Sequence, residues 1–215
     1  IQWAKQLEQA GIHVVYGIIG FKTHTKIALI VRKEKGRLRN YFHIGTGNYN
    51  SNTSKFYTDL GLLSTDPEIA SDLLELFNYL SGFSKQKSYQ KLLVSPSSMR
   101  KKFIFLIKRE IKNAEEGKKA EIIAKMNSLV DPEIINLLYL ASDSGVKISL
   151  IVRGICCLYP QRKNLSENIK VKSIIGHFLE HSRIFWFCNN GDNEVFIGSA
   201  DWMRRNLDRR IEAVT

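Results

Sequence analysis

Acidic side chains are in short supply. Only 21 Asp and Glu stand against 32 Lys and Arg in 215 residues, a formal net charge of +11. The imbalance says little about fold, but it points to a polyanionic partner: nucleic acid, phosphorylated small molecules or an anionic membrane surface. Long apolar runs are missing too, and without a stretch of about 18 uncharged apolar residues no helix spans a bilayer. The first ten residues, IQWAKQLEQA, read as an amphipathic helix and not as a secretory leader. Cysteine is nearly absent, with only Cys156, Cys157 and Cys188. The number is odd and the adjacent pair is too close to bridge comfortably. Reduced thiols packed in strands are therefore expected, which fits a cytoplasmic compartment. No second Cys/His pair at ligand spacing accompanies them, so a zinc site is not expected. What remains is globular in composition, 44% apolar and 25% charged, with chain enough for one ordinary domain or two small ones.

Along the chain, apolar and small residues at Trp3, Ala4, Leu7 and Ala10 predict a helix stopped by Gly11. Strand-like runs follow at Ile12 to Tyr16, Lys26 to Val31 and Tyr41 to Ile44, the last two joined as a hairpin by the charged turn around Gly36. Asp66-Pro67 opens a helix to about Leu80, residues 81–91 read as a polar linker, and a long basic amphipathic helix spans roughly 99–116. Strand 122–126, helix 131–142 and strand 146–152 form a β-α-β unit, with short strands at 169–175, 182–188 and 194–198. The class is α/β, with mixed sheets flanked by helices.

A repeat organises this pattern. One copy runs from Gly11-Ile12-His13 to His24-Thr25-Lys26, through a hairpin, to Ile44-Gly45-Thr46-Gly47-Asn48. The other runs from Asn168-Ile169-Lys170 to His181-Ser182-Arg183, through a hairpin, to Ile197-Gly198-Ser199-Ala200-Asp201. The histidine falls thirteen positions after the start in both, with a basic residue two places on. On a strand, i and i+2 share a face, so each imidazole projects beside its cation. That pairing suits attack on phosphorus, with the imidazole as nucleophile and the cation stabilising phosphoryl oxygens. The Gly-(Ser/Thr) turns bring a hydroxyl and an amide or carboxylate to the same strand ends. The second copy follows a β-α-β unit, whereas only ten residues precede the first, which is therefore expected to be truncated at its N-terminus.

These paired units resemble the phospholipase D superfamily, and the longer strings resemble its polyphosphate kinase branch. The strings are GFKTHTKIALIVR (20–32), HIGTGNYN (43–50), YTDLGLLSTDPEI (57–69), KMNSLVDPEII (125–135), LIVRGICCL (150–158), FLEHSRI (178–184) and GSADWMRRNLDRRIE (198–212). The resemblance covers nearly the whole chain, in order, and is to the two C-terminal catalytic domains of that family. It implies two phospholipase D-like lobes, 1–91 and 92–215, with the family's N-terminal and helical domains and the start of the first lobe absent. It implies that His24 takes the γ-phosphoryl of ATP and passes it, reversibly, to a growing chain of inorganic polyphosphate. His181 matches the second active-site histidine, an acid or a stabiliser of the leaving oxygen. Tyr57 and Arg153 match positions that contact ATP; Lys26, Arg183 and Asn48 sit in the phosphate-binding motifs. Arg210 is expected on phosphate and Glu212 on a histidine or arginine. ATP or ADP is the implied substrate and Mg²⁺ the implied metal, with no ligand assigned in this chain. A homo-oligomer is implied for the intact enzyme, with room for peripheral membrane association.

Other classes predict different things. A diesterase of the same superfamily continues His-x-Lys-x4-Asp, but Val31 and Cys188 occupy those places. A basic module for nucleic acid normally shows RRM, KH or Arg/Gly-rich signatures, and none is here, so nucleic acid is not expected as a partner. A third reading is that this piece binds phosphate without turning over alone. His13, His43 and His177 read most simply as structural, helix 100–119 as an exposed face. Arg204, Arg205, Arg209 and Arg210 cluster with Asp201, Asp208 and Glu212, and a solvated helical face would explain several of them.

Overall fold

The computed structural model describes residues 2–84 and 88–215. Helix α1 (Gln2–Gln9) is followed by β1 (Lys22–Thr23), the hairpin β2 (Ile27–Glu34) and β3 (Arg37–Gly45), then β4 (Tyr57–Thr58), β5 (Gly61–Ser64) and α2 (Pro67–Leu80). The second half contains β6 (Leu93–Ser95), α3 (Met99–Glu115), β7 (Glu121–Met126), α4 (Pro132–Asp143) and β8 (Lys147–Val152). It ends with β9 (Ile169–Lys172), β10 (Leu179–Glu180), β11 (Ile184–Phe187), β12 (Glu194–Ile197), α5 (Arg204–Asp208) and β13 (Arg210–Val214). The strands form a five-stranded mixed sheet β12-β11-β7-β8-β9, sheets β2-β3-β5 and β1-β13-β6, and the pair β10-β4. Among the described residues no helix is long and apolar enough to cross a membrane.

Helices α2 and α4 start where capping chemistry dictates. The Asp66 carboxylate accepts the N–H groups of Glu68 and Ile69 at 3.0 Å, and that of Asp131 accepts Ile134 N–H at 3.1 Å, each with Pro next in line. Such a cap stabilises a helix by about 1 kcal/mol. One core packs α3 and α4 on the large sheet, with Phe103, Phe185 and Trp202 in ring contact at 4.7–5.6 Å. The other packs α2 on the β2–β3 hairpin through Phe42, Ile44, Leu73 and Leu76, and it includes Ile211 and Ala213 from the far end of the chain.

Two expectations need correction. Residues 12–16 form no strand. Their counterpart β9 is a strand because it lies against β8, and none of the described residues supplies such a neighbour at 12–16. The C-terminal arginine-rich stretch is only briefly helical: from Arg210 it becomes β13, which pairs parallel with β1 and antiparallel with β6. Part of the expected linker, 85–87, lies outside the described residues. Its far end is tied down, because the buried Asp72 carboxylate accepts the N–H groups of Gln90, Lys91 and Leu92 at 2.7–2.9 Å.

Candidate active site

The repeat is reproduced bond for bond. His24 N–H donates to Ile211 O and His181 N–H to Thr58 O, so each histidine strand leans on a strand from the other half of the chain. Thr46 N–H donates to Leu60 O and Ser199 N–H to Ala213 O, while the two hydroxyls accept from Leu60 N–H and Ala213 N–H. The residue just before each of these, Asp59 before Leu60 and Glu212 before Ala213, is a carboxylate that reaches across. Glu212 Oε2 lies 2.9 Å from His24 Nδ1, and Asp59 Oδ1 lies 2.8 Å from His181 Nδ1. Each carboxylate also accepts the hydroxyl of its own turn, Ser199 on Glu212 and Thr46 on Asp59. Asp59 escaped the sequence reading. Its signal was the spacing: Asp59 follows Thr46 by thirteen residues, as Glu212 follows Ser199.

The two histidines differ in their outer nitrogens. His181 Nε2 faces Arg183 NH1 at 3.1 Å, which makes it an acceptor with the proton on Nδ1. His24 Nε2 has no partner among the described residues, while Glu212 is fully buried and also accepts from Asn206 Nδ2 at 2.6 Å. The cations differ as well. Arg183 donates to Asp201 through two nitrogens, at 3.2 and 3.4 Å, and to the carbonyls of Thr46 and His181. Lys26 donates to His24 O and has no carboxylate at ion-pair distance among the described residues. Burial lowers its pKa to about 8; Glu212 opposes that shift, and Arg183 and Arg210 add to it. For Asp59, burial raises the pKa, but the hydrogen bonds from His181 and Thr46 and the nearby Arg183 outweigh it and hold the carboxyl below its ordinary range.

The remaining predicted residues gather at the same end of the sheets. Tyr57 is half-buried in β4, its ring centroid 4.8 Å from that of His181. Arg153 follows β8 directly and donates from Nε to Asn127 Oδ1 at 3.0 Å, and Asn127 N–H donates to Asp201. Arg210 opens β13, within electrostatic reach of Lys26. Asn48 is exposed and lines a cavity of about 340 Å³ together with Tyr57, Asp59, Tyr49 and His43. His43 is bonded there to the Tyr49 hydroxyl at 2.6 Å. No three His, Cys, Asp or Glu side chains converge as a metal site among the described residues, and Glu212 and Asp201 are already saturated. These residues do not fit the implied Mg²⁺ by themselves.

Comparison with known proteins agrees across the chain. Residues 1–86 match the family model "Polyphosphate kinase C-terminal domain 1" and residues 92–215 match "Polyphosphate kinase C-terminal domain 2". A polyphosphate kinase of Parasynechococcus marenigrum is 67% identical over 215 residues, all of this chain and 30% of that protein. The crystal structure of polyphosphate kinase from Porphyromonas gingivalis superposes with a TM-score of 0.93 at 41% identity, covering 100% of this chain and 33% of that one. A mutant of yeast tyrosyl-DNA phosphodiesterase shares the fold alone, with a TM-score of 0.60 at 11% identity over 97% of this chain and 70% of its own. The chain thus spans under a third of the length of the curated relatives it matches. With both family models covering nearly every residue, the chain belongs to the polyphosphate kinase family, in the region of its two C-terminal domains.

Proposed function

We propose that this chain is the catalytic part of an enzyme that moves the terminal phosphate of ATP, reversibly, through a phosphohistidine at His24 to inorganic polyphosphate. The supporting observation is the contrast between the histidines: only His24 combines a buried carboxylate on Nδ1 with a free Nε2. A carboxylate on Nδ1–H fixes the tautomer that leaves the Nε2 lone pair outward, and it stabilises positive charge on the ring as a bond forms.

In the first half-reaction Nε2 attacks the γ-phosphorus in line, the N–P bond forms and the P–O bond to ADP breaks. Lys26 and Arg210 balance charge on the transferring oxygens, and Arg153 and Tyr57 hold the nucleotide. His181 and Arg183 face the leaving oxygen, the imidazole kept in place by Asp59. In the second half-reaction a terminal oxygen of the polymer attacks the same phosphorus and the N–P bond breaks. The lobes are 1–91 and 92–215, with β13 completing the first from the second.

The test uses the full-length protein with Mg²⁺ and γ-labelled ATP. Wild type should carry acid-labile label and make phosphate chains without cleaving diesters; H24A should carry none. Label at the wild-type level in H24A would remove His24 as nucleophile.

A further inference from the structure

Arg204, Arg205 and Arg209 are all exposed, on α5 and the residue that closes it. The acids that would balance them are engaged elsewhere. Asp201 is held by Arg183 and Asn127 N–H. Asp208 accepts both Nε and NH2 of Arg100 at 2.7 Å. Glu212 is occupied by His24, Ser199 and Asn206. None of the three arginines makes an ion pair with the described residues. The helix that carries them is rigidly tied to the reacting histidine, since Asn206 lies between them and donates to the carboxylate that holds His24. Leu207 anchors the helix in the core.

Three uncompensated guanidiniums on the helix that bonds Glu212 exceed what a nucleotide needs, because Lys26, Arg153 and Arg210 serve its phosphates in the proposed reaction. A linear polymer with about one negative charge per unit extends past the reacting phosphorus and meets further cations. Guanidinium forks suit phosphate oxygens. On this segment the aromatic Trp202 and the apolar Leu207 are fully buried, so α5 presents neither of them as a stacking platform for bases or an anchor for lipid. We propose that Arg204, Arg205 and Arg209 form the docking surface for the polyphosphate chain beyond its reacting end, setting polymer affinity without taking part in the chemistry. The assignment rests on the reaction proposed above.

The experiment uses the full-length protein carrying R204Q/R205Q/R209Q. Transfer from polyphosphate to ADP is measured against polymer length and salt, and end-labelled polyphosphate binding is measured directly. The variant should raise KM for long polymers tenfold or more. By analogy with single-stranded nucleic acid, at roughly 0.7 per phosphate contact, it should lower the slope of log affinity on log salt by about 2. KM for ADP and labelling of His24 should stay within twofold, and lysine at all three positions should restore most of the affinity. Unchanged polymer affinity and salt slope would overturn the assignment. So would equal weakening of ADP and polymer, or lost binding to anionic vesicles with polymer binding intact. If wild type transfers nothing from polymer, the reaction reading fails, and the direct binding comparison still decides the docking surface.

Discussion

Lys26 is the residue whose behaviour follows most directly from its surroundings. It is only 4% exposed, and burial brings its pKa to about 8. Its counterpart Arg183 is neutralised by Asp201, but the first copy has Asn48 at that place, exposed and uncharged, so the ammonium has no paired anion among the described residues. The folded pKa is lowered, so the cation is present below about pH 8 and lost as pH rises through that value. In the proposed reaction the Lys26 cation balances charge on the transferring phosphate. The kcat/KM for ATP in the full-length protein should therefore fall above about pH 8, and K26R, always charged, should lose that limb. A K26R profile with the same limb would assign the titration to another group. His24, Lys26, His181 and Arg183 were legible because each motif occurs twice in one frame. Asp59 was not, because Asp-Leu-Gly looks like an ordinary turn. Its spacing gains meaning only once the Thr46–Asp59 and Ser199–Glu212 bonds are seen to be the same bond.

Elements with strong periodicity or explicit caps were readable, among them α2, α3, α4, the β2–β3 hairpin and the β7-α4-β8 unit. The two-residue strands β1, β4 and β10 carry no pattern of their own and exist only because a partner strand lies alongside. In β13 a buried glutamate interrupts what would be an apolar strand, and a run of arginines precedes it. Ser98 makes no side-chain cap bond to α3. The first turn is held instead by Arg100, which binds Asp131 and Glu133 at the start of α4 and Asp208 at the end of α5. R100A leaves the Asp131 carboxylate, 2% exposed, with its cap N–H but no cation. Breaking such a buried pair should cost about 2–3 kcal/mol, somewhat below the full range because the cap remains. That corresponds to a fall in Tm of roughly 4–12 °C for a chain of this size. Burial raises the Asp131 pKa, but the Arg100 and backbone hydrogen bonds outweigh it and hold the value below the ordinary range. Its stabilisation is present above the ordinary carboxylate pKa and is lost as pH falls through the lower folded value. R100A should therefore unfold in acid at a higher pH than wild type. Matching urea midpoints at pH 7 would show that the clamp is not stabilising.

At the scale of the molecule, the two halves share their working parts. Each histidine is oriented by a carboxylate from the other half, and each histidine strand is hydrogen-bonded by a strand from the other half. The chain's last strand belongs to both cores: Val214 packs with the second, while Ile211 and Ala213 pack with Phe42, Ile44, Leu73 and Leu76 of the first. Residues 92–215, expressed alone, would carry β13 with one edge unpaired and its first-core face uncovered. An unpaired apolar edge is a template for association. Glu212 and Asn206 would also lose His24 and keep a buried charge with fewer donors. The isolated segment should therefore elute as oligomers and lack a sharp thermal transition, whereas residues 1–215 should unfold in one step, lobes together. A monomeric 92–215 with the same Tm as the longer chain would mean that the second core is self-sufficient. The crosswise histidine–carboxylate pairs would then hold the active site together without contributing to the fold.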